Sequence, residues 1–234
     1  MLVLQSQSFA QTTESKFKAV WQKHRDTWAK SFTWQEHTVV TDYKQVSEND
    51  VYRAGILPDK FREDRGSLDD GNAELQVGSA SFTFKKYKQA HKGLASANIE
   101  ELILGRLYFQ SFDAVKSEFG KFKIDITKGR TATWKGRKVL IFGVTNPIDT
   151  VSEQIWYDAT ELYPVRWMYQ STQDQDIQYL GYRKINGVWF PSDRKVYGNR
   201  KLRQHTKFLH VSFNSELNPA IFDPEQFGSY HWLQ

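Results

Sequence analysis

Between Thr12 and Trp28 the apolar residues recur at helical spacing. Phe17, Val20, Trp21, His24 and Trp28 share one stripe, leaving Lys16, Lys18, Lys23, Arg25 and Lys30 for solvent. Thr12 and Thr13 suit the cap of this helix, and Glu14 suits its first turn. A helix with two tryptophans on its buried stripe must lie on a large apolar surface. From Thr33 the period changes to two. Segments 33–43 and 49–56 read as strands, with Ser47, Glu48 and Asn49 turning the chain between them. Phe61 to Asp64 continues the pattern, Asp69-Asp70-Gly71-Asn72 makes a turn, and two more strands follow near 74–78 and 81–87.

The middle of the chain returns to helical spacing. Asn98 followed by Glu101 resembles a capping box, with Ile99, Leu102, Ile103 and Leu107 on one face. A second short helix starts at Ser111, carries Phe112, Val115 and Phe119 on its stripe, and is expected to end at Gly120. The rest reads as an up-and-down meander. Lys135-Gly136 separates Thr131–Trp134 from Lys138–Val144, and Asp158 to Glu161 turns Gln154–Tyr157 into Val165–Tyr169. Asn186-Gly187, a strong hairpin signal, joins Ile177–Ile185 to Val188–Tyr197, and Gly198-Asn199 leads on to Leu202–Phe213.

The fold class is therefore mainly β with helices (α+β): an antiparallel sheet covered by an N-terminal helix and two central helices. A long meander with too few helices to cover it flat must curl, and a curled sheet closed by helices has an apolar interior. No linker, repeat or low-complexity stretch interrupts residues 12–234, so a single domain is the simplest account. Residues 1–11 stand apart. Leu2-Val3-Leu4, then Ser8-Phe9-Ala10, resemble the tail of a secretory signal peptide cleaved after Ala10, or else form an ordinary disordered N-terminus.

Composition narrows the function classes. The 234 residues contain no cysteine, which removes disulfides and thiolate chemistry. The net charge of +5 comes from 32 Lys and Arg against 27 Asp and Glu, and it is diffuse. A nucleic-acid binder concentrates such an excess, so no nucleic-acid partner is predicted; peripheral contact with an anionic lipid surface fits a diffuse excess better. The longest wholly apolar run, Val139-Leu140-Ile141-Phe142, is far short of a membrane-spanning helix. What stands out is the aromatic load of eight Trp, eleven Tyr and sixteen Phe. Much of it suits a strand-rich core, and Trp and Tyr also suit walls that are apolar yet tolerate some water.

Signatures of chemistry are few. The six histidines show no metal-ligand spacing, and no HExxH, GxSxG, P-loop or GxGxxG is present. Glu63 with Asp64, or Asp174 with Asp176, are the candidate carboxylate pairs. Such pairs are common on solvated strand ends, so no catalytic residue, metal or cofactor is assigned.

Several segments resemble the outer-membrane lipoprotein-sorting (LolA-like) family. They are Ile155-Trp156-Tyr157-Asp158, Leu162-Tyr163-Pro164-Val165-Arg166, Ile185-Asn186-Gly187-Val188-Trp189-Phe190-Pro191 and Leu217-Asn218-Pro219-Ala220-Ile221-Phe222-Asp223-Pro224. Upstream, Gly55-Ile56-Leu57-Pro58-Asp59-Lys60-Phe61-Arg62 resembles that family's turn into its third strand, and the likeness runs in order over residues 14 to 227. The resemblance implies a strongly curved antiparallel sheet, an incomplete barrel lidded by helices, whose apolar cavity receives acyl chains. It also implies a periplasmic protein without cofactor or turnover. One departure is plain. Carriers of the family place an arginine before the proline matched by Pro58, where it helps control cavity opening; here Leu57 stands there and cannot make its charge-assisted hydrogen bonds.

The expected function is thus non-catalytic binding or carriage of an acyl chain, lipid or lipid-modified protein, with an envelope protein as a possible partner. Candidate wall residues, chosen for size and apolarity, are Leu57, Phe61, Leu102, Ile103, Trp156, Val165, Trp167 and Tyr179. The alternatives are an envelope-stress sensor or interaction module on the same fold, and a cofactor-free small-molecule enzyme. A polar cavity holding a carboxylate of strongly shifted pKa would favour the enzyme.

Overall fold

The structure, a computed structural model, describes residues 12–41, 45–170 and 174–233. The segment 1–11, with its export-signal reading, and residues 42–43 of the first predicted strand lie outside the described residues. Helix α1 (Thr13–Arg25) begins where the Thr12 hydroxyl accepts the Ser15 N–H at 3.2 Å. It stops short of Trp28, whose N–H donates to the His24 carbonyl at 2.8 Å in the bend that follows and whose indole stays buried.

Six antiparallel strands come next in sequential pairing: β1 (Ser31–Thr41), β2 (Val46–Ile56), β3 (Lys60–Arg65), β4 (Ala73–Val77), β5 (Ala80–Lys85) and β6 (Lys88–Leu94). Strand β6 is absent from the sequence-based expectation. Its residues Lys-Gln-Ala-His-Lys-Gly-Leu are nearly all exposed, so no apolar alternation marks it, and it lies at the sheet's edge.

The second half contains β7 (Gly129–Trp134), β8 (Arg137–Phe142), β9 (Gln154–Asp158), β10 (Pro164–Gln170) and β11 (Asp174–Leu180). The short hairpin β12 (Arg183–Ile185) and β13 (Val188–Phe190) follows, then β14 (Asp193–Gly198) and β15 (Lys201–Phe213). The two long strands expected around Asn186-Gly187 are each broken in two. Gly181 sits at φ +63°, and a Cβ there would lie 2.0 Å from the Ser192 hydroxyl, so any side chain at the crossing point is strained. Below the break β11 pairs with β14; above it the hairpin forms its own two-stranded sheet.

The main sheet has thirteen strands in the order β6-β5-β4-β3-β2-β1-β15-β14-β11-β10-β9-β8-β7. It is curved and does not close into a barrel, as the fold class read from the sequence requires. The two halves meet where β1 pairs with β15, from Phe32 opposite Phe213 to Val40 opposite Gln204.

Between β6 and β7 the chain crosses from one edge of the sheet to the other. This crossing holds α2 (Ile99–Ile103), a 3₁₀ turn (Arg106–Phe109) and α3 (Phe112–Lys121). Asn98 caps α2 by accepting the N–H groups of Glu100 and Glu101 at 2.9 and 3.3 Å. Leu107 lies in the 3₁₀ turn rather than in α2. Gly120, expected to end the second helix, lies inside α3; the exit is made by Lys123 at φ +57°.

These helices and α1 cover one face of the sheet, here called the inner face. Phe17 meets Phe119 and Phe142 edge-on, with ring centroids at 5.1 and 4.9 Å, joining α1 to α3 and β8. Leu102, Ile103, Leu107, Tyr157, Tyr179 and Phe190 complete this core. The outer face is not bare. Val139, Ile141, Trp156, Val165 and Met168 cluster there in the second half. In the first half the C-terminal segment straps across it, with Phe227 stacked on Phe84 at 4.0 Å and Ile221 and Phe222 against Ala54. Arg62 fastens this strap: it holds Asp64 through two hydrogen bonds of 2.8 and 3.0 Å and donates to the carbonyls of Ile221 and Tyr230.

Candidate functional site

Strand register builds an apolar row across the inner face. Ile155 of β9 lies opposite Trp167 of β10, Trp167 opposite Ile177 of β11, and Ile177 opposite Val196 of β14. Val196 is opposite Gln204 of β15, which is opposite Val40 of β1. Tyr169, two residues beyond Trp167 and so on the same face, stacks on it at 4.2 Å. Above this row pass Ser96 to Glu100 and, from the end of α3, Phe122. The space between them is an open groove of about 750 Å³ lined by Val40, Ile99, Phe122, Trp167, Tyr169, Ile177 and Val196, with Arg194, Arg203 and Glu100 among its polar positions. The Trp167 indole N–H is buried and has no hydrogen-bond partner among the described residues.

A second, smaller cavity of about 200 Å³ lies on the first half of the inner face, between α2 and strands β1 to β4. It shares Ser96, Asn98 and Glu100 with the groove. Its apolar wall is Phe32 stacked on Trp34 at 4.2 Å, with Leu57, Phe61 and Leu104. Its other wall is charged.

An ion-pair chain runs between the two spaces. Arg53 reaches Glu36 at 2.6 Å and Glu63 at 2.8 Å, and Arg65 bridges Glu63 and Glu74. Arg194 bridges Glu36, at 3.1 Å, and Glu100 of α2, whose carboxylate also accepts the Tyr179 hydroxyl. Burial pushes the Glu36 carboxyl up, but Arg53, Arg194 and the Trp34 indole N–H outweigh it and hold it below the usual carboxylate range. Glu101 is less well supported, with Arg106 at 4.0 Å and the Asn98 amide donating at 3.2 Å. Burial pushes it up to about 7 against the weaker pull of Arg106 and Arg53.

The eight residues proposed from sequence are scattered by the fold. Leu57 and Phe61 line the small cavity, and Trp167 lines the groove. Leu102, Ile103 and Tyr179 are packed into the core beneath the helices, with almost no accessible surface. Trp156 and Val165 are on the outer face. Trp156 alternates with the inward Ile155 and Tyr157, and a register shift between Pro164 and Arg166 carries Val165 to the same outer cluster. Of the carboxylate pairs, Glu63 and Asp64 point to opposite faces and each is held by arginine. Asp176 is held by Arg166 at 2.7 Å, while the Asp174 side chain lies outside the described residues.

Glu36, Arg53, Glu100, Glu101 and Arg194 were missed by reading the sequence. One signal was available. In β1 the alternation Phe32, Trp34, Glu36 puts a carboxylate in an inward register, where a strand facing an apolar core should carry an apolar residue. Among the described residues, no cluster of three His, Asp or Glu is placed to hold a metal ion, and no helix is long and apolar enough to cross a membrane.

No protein-family model and no curated protein matches the sequence. Solved structures do share the fold. A DUF1329 family protein from Desulfovibrio piger superposes with a TM-score of 0.62 at 13% identity, over 93% of this chain and 100% of that one. A protein domain described as outer membrane lipoprotein-sorting, from Vibrio parahaemolyticus, gives 0.60 at 10% identity over 92% and 97%. A LolA superfamily protein from Nitrosomonas europaea gives 0.60 at 11% identity over 91% and 98%. At these identities the likeness is one of fold, and it is the fold that the sequence motifs resemble.

Proposed function

We propose that the chain is a periplasmic, non-catalytic binder or carrier of an acyl chain, presented by a lipid or by a lipid-modified protein. The observation that carries this reading is the groove beneath α2 and α3. Five strands contribute to its floor, half of its lining residues are apolar or aromatic, with Trp167, Tyr169, Phe122, Ile99 and Ile177 among them, and its volume of about 750 Å³ falls within the range of ligand pockets. Each buried methylene contributes about 0.8 kcal/mol, so a dozen contribute roughly 10 kcal/mol before the cost of ordering the chain. Such a ligand needs no polar anchor. Where an ester or carboxyl oxygen does enter, the unpartnered Trp167 N–H is a donor already in place.

The fold shared with a domain described as outer membrane lipoprotein-sorting and with a LolA superfamily protein supports the same reading. The test is native mass spectrometry with lipid extraction on protein purified from a periplasmic fraction, followed by Trp167→Asp. The expected result is a co-purifying fatty acid or phospholipid that the variant loses while keeping the wild-type circular dichroism spectrum. A wild-type protein that carries no lipid and binds no added fluorescent fatty acid would overturn the proposal.

A further inference from the structure

Strand register places the mouth of the groove. Gln170 at the end of β10 pairs with Asp174 at the start of β11, and Gly198 at the end of β14 pairs with both Gln175 and Lys201. Val40, next to the end of β1, pairs with Gln204. These five strand termini therefore lie at one end of the sheet. The groove runs out to this end, because Thr41, Gln175 and Arg203 are among its lining residues. Three more segments reach it: the start of β2, where Val46 pairs with Thr41, the loop that joins the paired residues Phe142 and Ile155, and the exit of α3 toward Gly129 of β7.

Around this mouth the surface is both apolar and basic. Of the eight large apolar side chains exposed on the described surface, four stand here: Val46 at 67%, Ile148 at 82%, Val151 at 44% and Leu202 at 41%. A lone exposed aliphatic needs no explanation, but this concentration at one end of a sheet does. Among them project Lys121, Lys123, Arg200 and Lys201, all exposed and none in an ion pair among the described residues. Lys123 at φ +57° and Arg200 at φ +64° hold left-handed positions where glycine or asparagine would cost less, so the chain keeps a cation where its backbone favours another residue. The carboxylates nearby are largely used internally. Glu48 faces His37 at 3.7 Å, Asp125 holds Lys128 at 3.3 Å, and Asp149 accepts the N–H groups of Val151 and Ser152, which leaves Glu153.

We infer that this end of the sheet docks on an anionic lipid bilayer, with the groove mouth against the headgroups. Exposed aliphatics set among lysines and arginines match the boundary between headgroup and acyl chain, where the aliphatics are buried and the cations meet phosphate. The surface is continuous with the groove, so an acyl chain passes between bilayer and groove without crossing open water. That role rests on the acyl-binding reading of the groove, whereas the docking surface rests on the side chains of the rim. A second copy of the chain is a poorer occupant, because a symmetric contact would bring the same cations together.

The experiment is co-sedimentation with vesicles of phosphatidylcholine alone and of phosphatidylcholine with about one third phosphatidylglycerol. It is run at low and high salt, where the Debye length falls from about 10 Å to about 3 Å. The expected result at low salt is at least tenfold tighter binding to the anionic vesicles, a preference that high salt removes. Each cation at such a surface contributes about fivefold, so Arg200→Gln with Lys201→Gln should weaken binding about twenty-five-fold. Arg183→Gln with Lys184→Gln makes the same charge change on the β12–β13 hairpin, at the opposite end of β11 and β14, and should stay within about twofold of wild type. Ile148→Ser with Leu202→Ser should weaken binding at least fivefold with the charge unchanged. No binding to anionic vesicles, equal binding to both kinds, or equal losses in the two charge variants would each overturn the assignment. So would a concentration-dependent dimer that Leu202→Ser disperses, since the face would then belong to a second copy. Binding of a fluorescent fatty acid without vesicles, which Arg200→Gln with Lys201→Gln should leave unchanged, reads the groove separately, so either reading can fail without the other.

Discussion

Arg194 offers the most searching test of how the inner face is held together. Its guanidinium reaches Glu36 of β1 at 3.1 Å, Glu100 of α2 and the Thr206 hydroxyl at 3.2 Å, so one side chain ties three elements. Replacing it by methionine keeps most of the volume and removes the charge. Breaking one side of a buried ion pair costs about 3–5 kcal/mol, because the surviving charge is left without compensation. Two features move the value toward the lower end. Glu36 retains Arg53 at 2.6 Å, and the Glu100 side chain is 22% exposed. The expected loss for Arg194→Met is therefore about 3 kcal/mol at pH 7.

The sign of the pH dependence follows from Glu36. Its carboxyl is held below the usual range in the folded state, so its contribution is present above the unfolded pKa and is lost as pH falls through the folded one. Without Arg194 that contribution shrinks, so the gap between variant and wild type should be widest at neutral pH and close under acid conditions. Urea unfolding followed by tryptophan fluorescence, with an unchanged m-value, reads the loss. A cycle with Glu100→Gln isolates the Arg194–Glu100 term, expected at about 1–3 kcal/mol for groups in one network. A coupling below about 0.5 kcal/mol, or a total loss below about 1 kcal/mol, would show that the ion-pair chain does not anchor α2 and would refute the reasoning.

Two further outcomes follow from burial. Glu101, raised to about 7, stabilises the fold in its neutral form, a contribution fully present below the unfolded value near 4.5 and lost as pH rises through 7. Glu101→Gln should therefore match wild type near pH 5 and exceed it by about 1–3 kcal/mol at pH 8, checked by thermal unfolding at both pH values; a variant no more stable at pH 8 contradicts the assigned titration. Leu102, fully buried between α2 and the sheet, should cost about 2–5 kcal/mol when cut to alanine. A urea midpoint within error of wild type would remove it from the core.

Much of the architecture was legible in the residues. The stripe of α1, the capping of α2 by Asn98 and of α3 by Ser111, and the hairpins at Lys135-Gly136 and Asn186-Gly187 are local features, set by side-chain spacing and turn chemistry within a few residues. Where a local signal was lacking, the reading failed. The edge strand β6 is polar on both sides, and the breaks at Gly181 and Ser192 arise because β11 and β14 find each other across the hairpin.

The candidate site was far less legible, and β9 shows why. Ile155, Trp156 and Tyr157 are all buried, the first and last under the helices and the middle one in the outer cluster. Alternation reveals that neighbours in a strand face opposite ways, but when both faces are apolar it does not reveal which is inward. That choice is made by elements remote in sequence. Pairing of β1 with β15 joins the two halves and brings Glu36 of one to Arg194 of the other, while the crossing segment lays α2 over both. Sequence by itself determined most of the secondary elements and the class of sheet, because those depend on short-range periodicity. Only the tertiary structure decided which side chains line the groove and which charges pair across the two halves, because both depend on contacts between residues that the chain keeps far apart.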